Sequence, residues 1–194
     1  MKLVIASGNP DKVAEIDALL QDGLDETVEV LPRPEDLPET IEDGDTLEYN
    51  AIKKATEVAE FTGLPAVADD TGLFVDALDG APGVYSARYA GENVTYQDNV
   101  DKLLHEMTGV EDRSARFRTV VAYVELGKEP VTFEGVVEGS IATEECGKGG
   151  FGYDPLFVPD ETNGKSFAEI TAVEKKAISH RARALAKLLP ALAS

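Results

Sequence analysis

An α/β fold around a mixed sheet is what the sequence predicts, and three observations predict it. A short apolar run at residues 2–6 passes through a polar Gly-Asn-Pro loop directly into helical spacing, the pattern of a strand-loop-helix unit. Two long alternating segments, residues 115–126 and 130–141, are separated only by Gly127-Lys128-Glu129 and read as a hairpin. No internal repeat, low-complexity tract or domain-sized linker interrupts the 194 residues, so a single domain is expected, with room for two lobes.

The elements follow in order. After the first strand, Asn9 can cap a helix, Pro10 suits its first position, and Asp11 complements the helix dipole. Val13, Ile16, Leu19 and Leu20 give that helix its apolar stripe. Residues 28–31 predict a strand, and a Pro-rich acidic connector over 31–45 leads to a helix from about 46 to 61. Its stripe is Ala51, Ile52, Ala55, Val58 and Ala59, and Gly63 and Pro65 stop it. Residues 65–68 and 73–78 read as two strands, with Asp69-Asp70-Thr71-Gly72 between them. A helix is predicted over 95–107, with Val100, Leu103, Leu104 and Met107 inward and Gly109 as its end signal. After the hairpin, residues 147–159 read as a loop and 171–192 as a helical region. Thr171 and Glu174 form a capping box that fixes where that region starts.

Composition excludes several classes. A hydrophobic fraction of 43% is that of a globular protein, not a disordered or fibrous one. No apolar run approaches membrane-spanning length, and the first residues read as a strand rather than a signal peptide, so a cytoplasmic location is expected. Cys146 is the single cysteine, which excludes an internal disulfide and a thiolate metal cage. The 37 acidic and 18 basic residues give a net charge of −19, which argues against nucleic acid and anionic membranes as partners. The same excess fits a cytoplasm of high salt, where screening relieves self-repulsion, and halophily is therefore expected.

Chemistry concentrates in residues 64–91, LPAVADDTGLFVDALDGAPGVYSARYAG. Side chains alternate along an extended chain, so Asp69 and Asp70 point to opposite sides unless the chain turns there. A carboxylate pair at the end of a buried strand needs a cation, a donor or water, and hard oxygens suit Mg²⁺; a solvated turn is the plainer reading of the same residues. Ser7-Gly8-Asn9-Pro10-Asp11-Lys12 likewise reads two ways, as a phosphate cradle at a helix N-terminus or as an ordinary capped helix. Glu42 precedes the helix that bears Lys53 and Lys54. Phe151-Gly152-Tyr153-Asp154 sets aromatic rings beside a carboxylate, and Lys175, His180 and Arg181 gather donors near the C-terminus.

SGNPDK, ADDTGLFVDALDGAPGVYSARYAG, GGFGYDP and SHR, in this order and at these intervals, closely resemble the inosine triphosphate pyrophosphatase family, also called dITP/XTP pyrophosphatases. The resemblance runs from Met1 to the final helix. It implies a nucleotide cleft between two lobes, a homodimer, and Mg²⁺-dependent hydrolysis of 6-oxo purine nucleoside triphosphates (ITP, dITP, XTP) to the monophosphate and pyrophosphate, clearing aberrant nucleotides from the pool. It implies that Ser7 to Lys12 bind the triphosphate, with Asn9 and Lys12 reaching the phosphates, and that Glu42 and Asp70 hold the metal. Asp70 matches the proton acceptor; because a bound cation lowers a carboxylate's proton affinity, Asp70 is expected to orient the attacking water, with Asp69 as a second candidate base. Thr71 and Lys54, a better match than Lys53, would contact substrate. Phe151 to Asp154 would line the base pocket, with Lys175, His180 and Arg181 as further contacts.

Selectivity for a 6-oxo purine would follow from donors such as His180 or Arg181, which would face another donor in adenine. Arg88 is expected to hold its loop, and that loop is a candidate contributor to a dimer interface. A pyrophosphatase for modified pyrimidine nucleotides, or a nucleotide-binding regulator without turnover, are the competing readings. One expectation rests on geometry alone. On an unbroken helix Lys175 and His180 would lie about 140° apart, so if both touch one nucleotide the helix must break or restart near Ser179.

Overall fold

The computed structural model describes residues 1–24 and 28–192. In chain order the elements are β1 (Lys2–Ile5), α1 (Pro10–Gly23), β2 (Glu29–Leu31), α2 (Leu47–Thr62), β3 (Ala66–Val75), β4 (Pro82–Gly83), α3 (Tyr96–Glu106), β5 (Ser114–Val124), β6 (Val131–Ile141), β7 (Phe157–Pro159), α4 (Ala172–Ile178) and α5 (His180–Leu192). The strands join one sheet in the order β2-β1-β3-β5-β6-β7, with β4 paired to β3. It is mixed: β1 runs parallel to β2 and β3, whereas β3 and β4, and β6 and β7, are antiparallel. The α/β class read from the sequence is the observed one, and β5 and β6 are sheet neighbours as the hairpin pattern requires.

Two compact units share the chain, and β3, β5 and β6 each contribute to both. The first contains residues 1–70, 119–135 and the segment from His180 onward. Its core packs Leu3 and Ile5 of β1, Ile16 and Leu20 of α1, Val67, Val121, and Ala184, Leu185 and Leu188 of α5. Asn9 caps α1 by accepting from the backbone N–H groups of Asp11 and Lys12 at 3.0 and 3.3 Å, with Pro10 at the first helical position. Thr46 caps α2, and Gly63 ends it in the left-handed conformation that glycine adopts without strain.

The second unit contains residues 71–118 and 136–179. Leu73, Val100, Leu103, Met107, Phe117, Val137, Ile141, Leu156, Phe157 and Phe167 form most of its core, where Phe117 and Phe157 meet edge to face at 4.7 Å. Capping boxes start both of its helices, Thr95 with Asp98 and Thr171 with Glu174.

Three expectations need correction. Residues 69–72 are not a turn between two strands; β3 runs unbroken through them, paired with β1 at Ala66 and Val67, with β4 at Leu73 and Phe74, and with β5 as its other neighbour in the sheet. Gly72 permits that second pairing, since a Cβ there would come within 2.5 Å of the Gly83 carbonyl. Residues 76–78 form a 3-10 turn instead of extending a strand. Residues 157–159, read as the end of a loop, pair with β6 at Ile141↔Phe157 and Gly139↔Pro159; a three-residue strand is too short to show a period. The break expected near Ser179 is present: α4 ends at Ile178, Ser179 has ψ of 152°, and α5 starts at His180.

Candidate active site

β3 carries Asp69 and Asp70 on consecutive positions of a buried strand, so their side chains diverge and each meets its own partners. Asp69 accepts from Arg181 Nε and a terminal nitrogen at 3.1 and 2.9 Å, and Lys12 Nζ lies 3.4 Å away. Arg181 is 1% exposed, and its other terminal nitrogen pairs with Glu15 of α1. Asp70 receives Lys54 Nζ on Oδ1 at 3.3 Å and Asn50 Nδ2 on Oδ2 at 3.2 Å. Lys54 also donates to Glu42 Oε1 at 2.6 Å, so Glu42 and Asp70 converge on one ammonium group. Lys53 turns elsewhere, to Asp43 and the Ile41 carbonyl.

These environments drive the two aspartates apart. Burial opposes ionisation of Asp69, but Lys12 and then Arg181 outweigh it and hold the carboxyl well below the usual range. Burial also opposes ionisation of Asp70; Glu42 and Asp69 reinforce it, Lys54 and Lys12 do not fully offset it, and the proton affinity of Asp70 rises. Burial likewise lowers the proton affinity of Lys12 against the attraction of Asp69, whereas Asp70, Glu42 and Asp69 together raise that of Lys54 despite its burial.

Ser7 Oγ accepts from Asn9 N–H at 3.3 Å, shaping the loop between β1 and α1. Gly8 and Pro10 continue this loop into the helix, with Asp11 in the first turn. His180 Nδ1 lies 2.6 Å from Thr119 Oγ1, and both residues are buried. Within the second unit, Asp154 accepts from Phe151 N–H at 2.9 Å and from Lys175 Nζ at 2.6 Å, while that ammonium sits 4.8 Å from the centre of the Phe151 ring. Gly152 holds a positive φ of 61° between them. Tyr153 points into the core and donates its hydroxyl to the Ser86 carbonyl at 2.7 Å. Thr71 follows Asp70 on β3, and the Arg88 guanidinium lies 5.1 Å from the Tyr85 ring centre.

Sequence reading missed Glu15, Asn50 and Thr119. Asn50 was detectable in principle: it sits one turn before Lys54 on the same face of α2, a fully buried amide beside an apolar stripe. Glu15 and Thr119 gave no local signal, because their partners lie far along the chain.

A family model matches residues 3–191, and its description is the Ham1 family. The chain belongs to the Ham1 family. Among relatives of this Ham1 chain, the dITP/XTP pyrophosphatase of Geobacter sulfurreducens is 51% identical over 189 residues, covering 96% of this chain and 94% of that protein. Solved Ham1 structures from Coxiella burnetii and Staphylococcus aureus superpose with TM-scores of 0.89 and 0.86 at 43% and 37% identity; each match covers 100% of this chain and 98% of the other. No helix among the described residues is long and apolar enough to cross a membrane.

Proposed function

We propose that this Ham1 chain is a nucleoside triphosphate pyrophosphatase that hydrolyses aberrant 6-oxo purine nucleotides, dITP, XTP and ITP, to the monophosphate and pyrophosphate, cleansing the nucleotide pool. The observation that carries this reading is the Glu42–Lys54–Asp70 cluster, two carboxylates and a buried ammonium held at 2.6 and 3.3 Å. Full-length similarity to a protein named for that activity supports it.

A divalent cation suits this donor set. Glu42 and Asp70 offer hard anionic oxygens that already converge on one positive charge, and the described residues hold no group of three or more His, Cys, Asp or Glu able to cage a metal. Two carboxylates, with the rest of the shell left to phosphate and water, is the pattern Mg²⁺ favours. When bound there, Mg²⁺ supplies charge neutralisation on the triphosphate.

The chain's own groups divide the remaining work. The Ser7 to Lys12 loop binds the phosphates, with Lys12 Nζ as the point charge. Asp70 orients the water that attacks the α phosphorus in line and is the proposed acceptor of its proton. Asp69 holds Lys12 and Arg181 in place rather than serving as the base, since its carboxyl is the harder of the two to protonate. Lys54 and Lys12 offset charge on the departing pyrophosphate. In the second unit, Phe151 and Lys175 present a ring face and a cation of the kind that suits a purine, and Asp154 fixes Lys175; His180, set by Thr119, and Arg181 remain proposed base contacts. A homodimer and a cytoplasmic location belong to the same proposal, and a light-scattering mass near the 20.8 kDa of one chain would overturn the dimer.

The decisive assay measures pyrophosphate against phosphate release from ITP, with ATP and dUTP as controls, with and without Mg²⁺. Pyrophosphate from ITP in the presence of Mg²⁺ is expected. Release of phosphate alone, preference for dUTP, or binding without turnover would refute the reading.

A further inference from the structure

Asn50 is given no part in the proposed chemistry above, yet it is 0% exposed and its amide spans two parts of the cluster. Its Oδ1 accepts from Gly44 N–H at 2.9 Å, and its Nδ2 reaches the Gly44 carbonyl at 3.5 Å and Asp70 Oδ2 at 3.2 Å. The orientation of the amide is fixed by chemistry: a backbone N–H can only donate, so the oxygen faces Gly44 and the nitrogen faces the carboxylate. Gly44 is two residues from Glu42, so one side chain holds both the segment that carries Glu42 and the carboxylate of Asp70.

The approach is close. A Cβ on Gly44 would lie 2.2 Å from Tyr49 Cδ1 and 2.7 Å from Asn50 Oδ1, so a side chain there would displace the exposed Tyr49 ring and crowd the buried Asn50 amide. The helix sets the remaining geometry, because Asn50 and Lys54 are four residues apart and reach Asp70 from one face of α2, on Oδ2 and Oδ1 respectively.

We infer that Asn50 is a positioning residue for the proposed hydrolysis, locking the Glu42 segment and the Asp70 carboxylate into one geometry through a single amide. The inference rests on the proposed pyrophosphatase activity. It assigns Asn50 no contact with substrate: its oxygen is committed to Gly44, and its nitrogen orients Asp70 so that Oδ1 stays toward Lys54 and Glu42.

The test begins with the unaltered chain, because failure to release pyrophosphate from ITP would refute the activity itself before any variant is considered. Asn50→Ala removes both bonds. Asn50→Asp keeps an acceptor for Gly44 N–H but sets a carboxylate against Asp70, separating the two functions of the amide. Folding is followed by thermal melting, and affinity for a non-hydrolysable α,β-methylene analogue of ITP by calorimetry. Both variants are expected to fold, to lose roughly 10- to 100-fold in kcat, and to keep KM and analogue affinity within about 3-fold, since misplacing a reacting group costs turnover more than binding. The Mg²⁺ concentration for half-maximal rate is expected to rise. In an Asp70→Asn background, Asn50→Ala is expected to change the residual rate by less than about 2-fold, because a residue acting through Asp70 has nothing left to position. A folded Asn50→Asp variant with wild-type kcat, or losses that multiply in the double variant, would overturn the inference. So would unfolding of both single variants, which would make Asn50 merely structural.

Discussion

At the scale of single residues, the two adjacent aspartates are chemically unlike, and the difference predicts opposite outcomes for the same substitution. Asp69→Asn leaves the buried Arg181 charge and the half-buried Lys12 charge without their shared anion, and breaking a buried pair such as Arg181–Asp69 costs about 3–5 kcal/mol. Asp70→Asn removes a carboxylate crowded by Glu42 and Asp69, so stability is expected to hold or rise while most turnover is lost and nucleotide affinity is retained. Urea unfolding beside ITP turnover checks both; a stable Asp69→Asn chain or an active Asp70→Asn chain would contradict the division. Their pH dependences also differ in sign. The folded-state proton affinity of Asp69 is depressed, so its contribution is present above the ordinary aspartate pKa and is lost as pH falls below about 4. That of Asp70 is raised, so its unfavourable contribution is relieved as pH falls through its folded value. Asp69→Asn should therefore flatten the acid limb of a stability–pH curve, and Asp70→Asn should steepen it.

Among the elements, the short helix α4 and the start of α5 are the most exposed to test. α4 has seven residues, too few to be stable alone, so its capping box matters: Thr171→Ala should cost about 1 kcal/mol in urea unfolding. β6 meets α5 so closely that a Cβ on Gly135 would sit 2.0 Å from the His180 carbonyl oxygen. Gly135→Ala is accordingly expected to lower stability by more than about 1 kcal/mol, in the range of an overpacked core, and to disturb the Thr119–His180 contact; an unchanged melting temperature would show that the helix start can yield. These elements show what the sequence makes legible. The caps at Asn9 and Thr171 and the break at Ser179 were readable because their causes are local, within four residues. The continuous course of β3 was not, because its pairing within the sheet, with strands distant in sequence, overrode the turn chemistry of Asp69 to Gly72. The Asp-Asp pair announced a site, but which aspartate meets which cation depends on Arg181, 112 residues away, and on Lys54, 16 residues before Asp70.

For the whole molecule, charge is the property that the packing does not explain. The chain carries 37 acidic and 18 basic residues, and several of the cations are drawn inward: Lys54 and Arg181 are buried and Lys12 is half-buried in the first unit, and Lys175 is buried in the second. Each of these is matched to carboxylates at short range, so screening affects them little. What remains outside is a more one-sided acidic surface, whose self-repulsion opposes the compact state and is screened by mobile ions. We propose that this surface is an adaptation to high salt. Melting temperature and ITP turnover, measured from low to molar KCl, should both rise, with most of the gain below about 0.5 M, where the Debye length shortens fastest. The Asp69→Asn deficit should stay nearly constant across the series, because its cause is buried. Full folding and full turnover without added salt would overturn the adaptation, and an Asp69→Asn deficit that vanished with salt would show that its ion pairs are open to solvent.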